Sequence, residues 1–80
     1  MPSYLYYNHN GKQVKRDTAI GCLTAGNRVK IEFGMAELTI TRGQDGLIDS
    51  KCPDHNASCC VKTPLRAIEW AEGHLRQAHQ

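Results

Sequence analysis

The side chains of this chain best suited to chemistry are its thiols and imidazoles, and most of them lie in the second half. Cys52-Pro53-Asp54-His55-Asn56-Ala57-Ser58-Cys59-Cys60 is dense in ligand-type groups, and His74 and His79 follow. In order they give Cys52-x6-Cys59-x14-His74-x4-His79. Zinc takes thiolate and neutral imidazole in a tetrahedral set, so two thiols from a loop and two imidazoles from a helix can share one ion. In a short domain that ion would anchor the helix and contribute folding energy directly. Cys60 can replace Cys59 in the set, and His55 can replace either histidine. The local set Cys52, His55, Cys59 and Cys60 is a further alternative, although four ligands so close together strain a tetrahedron.

Over residues 51–79 this arrangement resembles the Cys2His2 zinc finger. In that family a β-turn supplies two cysteines, a helix supplies two histidines, and the ion replaces most of the hydrophobic core. The resemblance implies a structural zinc on Cys52, Cys59, His74 and His79. Two features depart from it. The six-residue gap between the thiols exceeds the family's spacing, and helix positions five apart lie roughly 140° apart around the axis, so the helix end would have to distort. Ordinary roles compete with ligation. Cys22 falls in an apolar segment and suits a small core position. His79 shares a helix face with Ile68 and Leu75, where the helix dipole already favours it. His74 is a polar residue near Trp70, and His9 sits beside a turn.

Catalytic signatures are missing from the sequence. There is no Gly-x-Ser-x-Gly elbow and no glycine-rich phosphate loop. Cys59 or Cys60 just ahead of a helix N-terminus would have a lowered pKa, but a structural or ligand thiol is the commoner role. Eighty residues leave little room to enclose a substrate. The expectation is a protein that binds and does not catalyse.

A second cluster lies near the start, where Tyr4, Tyr6 and Tyr7 precede Lys12, Lys15 and Arg16. Tyrosine and arginine are favoured at protein interfaces, and aromatic and basic groups together also suit single-stranded nucleic acid. Tyr4, Tyr6, Tyr7, Lys15 and Arg16 are therefore the candidate partner-binding residues. Tyrosines also simply fill sheet faces, and neighbours in a strand point opposite ways, so at least one of the three must face outward.

These groups need elements to position them. The aromatic segment from Tyr4 and the turn dipeptide Asn10-Gly11 predict a hairpin, with a return strand over Lys12 to Asp17 guarded by its cations. Ala19 to Thr24 reads as a short strand closed by Gly26-Asn27. Val29, Ile31 and Phe33 alternate with charged residues, as do Leu38 and Ile40 after Gly34-Met35-Ala36, which predicts a second hairpin with one buried face. Leu47 to Asp49 adds a short strand, and 51–62 reads as a polar Cys/His loop. Thr63 as N-cap and Pro64 at the first helical position open a helix to about His79. Leu65, Ile68 and Leu75, with Ala71 and Ala78 as weaker members, form its apolar stripe, and Arg66, Glu69, Glu72 and Arg76 face water. The expected fold is α+β: an antiparallel sheet of four or five strands packed by one C-terminal helix. It forms one domain, with a sheet part at 1–50, the loop at 51–62 and the helix at 63–79.

Composition bounds the function. Ten Lys/Arg against eight Asp/Glu give a net charge of +2, too little to grip a nucleic-acid backbone unaided. No run of about 18 apolar residues exists, and the N-terminus lacks the layout of a secretory signal, so the chain is expected in the cytoplasm without a membrane partner. There its thiols stay reduced, which favours metal or core roles over disulfides. Another protein is the expected partner, bound by a small regulator or inhibitor with the zinc as its structural support. A nucleic-acid-binding regulator is one alternative. A metal-free inhibitor of the size and layout common in bacteriophages and mobile elements is the other.

Overall fold

A computed structural model describes residues 3–52 and 57–78. In chain order the elements are β1 (Tyr4–Tyr7), β2 (Gln13–Val14), α1 (Arg16–Thr24), β3 (Val29–Phe33), β4 (Ala36–Arg42), β5 (Ile48–Cys52), β6 (Ala57–Val61) and α2 (Pro64–Ala78). The strands form one six-stranded antiparallel sheet in the order β2-β1-β3-β4-β5-β6. The α+β class is as expected, but the sheet has six strands and there is a helix before β3.

The first hairpin closes through Asn8. Its side-chain oxygen accepts from the backbone N–H groups of Asn10 and Lys12, each at 3.0 Å, and Gly11 takes the positive φ of 81° that the turn requires. The return strand is only Gln13–Val14, because Lys15 caps a helix where a strand was expected. In α1, Ala19 and Leu23 stand one turn apart and are both fully buried, while Ile20 and Cys22 pack against the core from its flanks. That i, i+4 pair outweighs the apparent alternation of Ile20 and Cys22, since most helical stability in proteins comes from packing one face. The helix ends in a Schellman motif. Gly26, with φ of 90°, donates to the Leu23 carbonyl at 3.0 Å, and Asn27 donates to the Cys22 carbonyl at 2.9 Å.

The second hairpin matches its alternation residue for residue, with Ile31 opposite Leu38 and Val29 opposite Ile40, all four fully buried. Of the expected loop over 51–62, residues 53–56 lie outside the described residues, and Lys51, Cys52 and Ala57–Val61 are strand. β5 runs on to Cys52, and β6 pairs with it in full register from Ile48 and Val61 to Cys52 and Ala57. Cys59 and Val61 thereby lie on the side of Ile48 and Ser50, and Ser58 and Cys60 on the other, a period of two that the ligand-like residue types had masked.

Both helices cover the same side of the sheet. Tyr6, Ile31, Leu38, Ile40, Ile48 and Cys52 meet Ala19 and Leu23 of α1 and Ala67, Ile68, Ala71 and Leu75 of α2. Two side chains assigned to the core differ. Leu65 is 46% exposed in the first turn of α2, because the buried stripe runs through Ala67, Ile68, Ala71 and Leu75. Phe33 is half-buried against Tyr4, their ring centroids 4.7 Å apart.

Glu72, expected to face water, joins three elements. Its carboxylate takes a bidentate pair of hydrogen bonds from Arg16 of α1, Nε at 2.9 Å and Nη2 at 3.1 Å, and a further one from the Tyr6 hydroxyl. Its backbone carbonyl accepts from the Tyr4 hydroxyl at 2.8 Å. The Glu72 side chain is only 17% exposed, so these bonds replace most of its water.

Candidate interaction face

The thiols and imidazoles are spread over the fold. Cys52 is buried at the end of β5 and Cys59 is half-buried in β6 opposite Ser50, so the two thiols share the helix-covered side of adjoining strands. His74 lies on α2, its ring stacked on Trp70 with centroids 5.1 Å apart. Among the described residues no three His, Cys, Asp or Glu side chains come together as a metal-holding group. The fourth proposed ligand, His79, and the substitute His55 lie outside the described residues. Cys22 packs against the core as expected of a small apolar residue, though from α1 and not from a strand. Cys59 and Cys60 are both strand residues. Cys60 is exposed on the far side of the sheet, where a hydrogen bond to Asp49 pushes its thiol pKa up and so disfavours the thiolate a nucleophile needs.

The tyrosines divide as strand geometry requires. Tyr6 is 8% exposed beneath the helices and Tyr4 half-buried beside it, both bonded to Glu72, which also holds Arg16. Of the five candidate partner-binding residues these three are committed to the framework. Lys15 is exposed at the N-cap of α1, and Tyr7 alone points out from the uncovered side of the sheet. There it belongs to a cross-strand group. Lys30 Nζ sits 5.1 Å from the Tyr7 ring centroid and 3.7 Å from Glu37, while a hydrogen bond with Glu32 raises the pKa of the Tyr7 hydroxyl.

With α1 and α2 on one side, the opposite side has no covering layer among the described residues. It presents Leu5, Tyr7, Thr39 and Cys60 among charges of both signs, with Lys30 and Lys51 set between Glu32, Glu37 and Asp49. Met35 projects fully exposed from the β3–β4 turn. Where β1 meets its turn the surface forms a shallow hollow lined by Tyr7, Asn8, His9, Arg28, Lys30 and Thr39. Two cations, an imidazole and two hydroxyl-bearing side chains line it, and no carboxylate does. Such a hollow can accept an anionic group through charge-assisted hydrogen bonds. The sequence held part of this signal, because every residue alternating with Val29, Ile31, Leu38 and Ile40 is polar. It did not show that both helices would leave this side bare.

Compared with protein-family models, with curated proteins and with solved structures, the chain matches none. No helix among the described residues is long and apolar enough to cross a membrane.

Proposed function

We propose that this chain is a non-catalytic binding module that docks a partner protein on the uncovered side of its sheet and acts as a regulator or inhibitor by occupying that partner's surface. One observation carries the reading: both helices pack on one side of the six-stranded sheet, and among the described residues nothing covers the other. The charges there favour a protein over nucleic acid. Glu32, Glu37 and Asp49 stand among the cations and would repel a polyanion laid across the face, whereas a partner protein can match mixed signs locally. The hollow at Arg28 and Lys30 is suited to a single acidic side chain of that partner.

The test is capture from nuclease-treated extract with matched variants. Arg28→Glu and Thr39→Arg should each weaken capture at least 10-fold, about 1.4 kcal/mol, without changing the melting curve. Arg66→Glu and Arg76→Glu, on the exposed side of α2, should leave it unchanged. Loss confined to the α2 variants would move the interface to the helix layer. Binding that vanishes with nuclease and falls steeply with salt would favour the nucleic-acid alternative.

A structural zinc on Cys52, Cys59, His74 and His79 is a separate proposal, favoured by the two thiols on one side of adjoining strands beneath the helix that carries His74. It requires a rearrangement that brings His74 to the two thiols, since the described ligands form no group of three. Near one equivalent of zinc per chain and a melting temperature lowered by chelator would support it. Protein with well below one equivalent and chelator-insensitive melting would remove it.

A further inference from the structure

The two edges of the sheet are guarded very differently. At one end lies β2, two residues long and flanked by Lys12 and Lys15. A short edge beside lysines is a poor template for another strand. At the other end lies β6, five residues long, whose sequence Ala57-Ser58-Cys59-Cys60-Val61 has no charge, proline or glycine. All five are in register with β5. In an antiparallel ladder the backbone groups of alternate residues point to opposite edges, so β6 also presents N–H and C=O groups outward, and no strand among the described residues lies beyond it. Leu65, in the first turn of the helix that follows β6, adds an exposed apolar side chain to this end of the chain path.

We propose that a second copy of this chain occupies the β6 edge, the two β6 strands pairing antiparallel about a two-fold axis to continue the sheet. Identical strands related by a two-fold axis are antiparallel and self-complementary. Because β6 is uncharged, no register sets like charges against each other. The guarded β2 edge then stops growth, so the assembly closes as a dimer and does not extend into a fibre. The dimer does not depend on the docking face, which each copy would present on the same continuous sheet.

The test is the solution mass of the full chain over a dilution series with thiols kept reduced. The expected result is the mass of two 8.9 kDa chains, falling toward one on dilution. A mass of one chain at every concentration would overturn the proposal. Cys59→Pro and Cys60→Pro then locate the contact, because of two consecutive strand residues one donates its N–H to β5 and the other points it outward. The proline variant that keeps the native circular dichroism spectrum should be monomeric across the series. If it stays dimeric, the copies meet elsewhere and the proposal fails. Should neither variant fold, amide exchange of the unmodified chain decides. Exchange in β6 that slows as dimer forms supports the edge contact, and exchange independent of concentration rules it out.

Discussion

Replacing Ile31 by alanine should lower the unfolding free energy by about 2–5 kcal/mol, because a fully buried side chain leaves a cavity between the sheet and the helices. Ile31 sits in β3 between Tyr6 of β1 and Leu38 of β4, and Ile68 closes the same core from α2. At roughly 0.05–0.15 kcal/mol per residue, a domain of this length has about 4–12 kcal/mol in hand, so either substitution removes a large fraction of it. Leu65→Ala is the internal control. Being 46% exposed, Leu65 should cost little beyond the usual surface range of about 0.5 kcal/mol. Denaturant midpoints of the three variants check this, and equal shifts for Ile68→Ala and Leu65→Ala would contradict the assigned helix face.

The second large effect is expected at Glu72. Glu72→Ala leaves the buried Tyr6 hydroxyl without its acceptor and Arg16 without its bidentate partner, a loss of about 1–3 kcal/mol. Glu72→Gln keeps one acceptor oxygen and should cost less. Alkaline pH gives an independent readout. Burial, followed by the hydrogen bond and charge of Glu72, raises the Tyr6 pKa above its ordinary 10.0, against the opposing influence of Arg16. With the folded value above the unfolded one, the stabilisation from neutral Tyr6 is complete below pH 10 and is lost as pH rises toward the folded value. Tyr6→Phe removes this contribution. The stability gap between the native chain and Tyr6→Phe should therefore narrow when unfolding is followed from about pH 8 to 11. A constant gap would mean that Tyr6 is not held neutral by its surroundings.

The parts of the fold legible in the sequence are those whose local pattern agrees with their packing. Val29 to Phe33 and Leu38 to Ile40 alternate with period two and are half covered, and Thr63-Pro64 marks the start of α2 where it falls. The first helix was not legible because its residues are poor helix formers. Thr18, Ile20, Gly21, Cys22 and Thr24 all disfavour a helix relative to alanine, and only contact with the sheet selects one through Ala19 and Leu23. β6 was hidden for a different reason, since Ala57-Ser58-Cys59-Cys60-Val61 places a cysteine on each side of the sheet and so shows no apolar/polar alternation. Glu72 looked like a solvent position because the α1 residue that pairs with it lies 56 positions away.

The same limit applied to the binding surface. Three tyrosines and two cations near one turn read as one exposed cluster, but strand geometry sends Tyr6 inward and Tyr7 outward, and Glu72 draws Tyr4 and Arg16 into the framework. Lys15 stays exposed at the N-cap of α1, and what remains outward on the uncovered side is Tyr7, joined across the strands by Lys30 and by the hollow at Arg28, neither of which the cluster included.

Hydroxyl-radical footprinting of the chain, alone and with a captured partner, is the most direct test of docking on the uncovered sheet, because it reads side chains and not backbone bonds. Leu5, Tyr7 and Met35 project from that side and its turn, and Leu65 is exposed on the helix layer. The expected result is that the partner slows oxidation of Leu5, Tyr7 and Met35 and leaves Leu65 as it was. Protection of Leu65 with Leu5, Tyr7 and Met35 unchanged would contradict it.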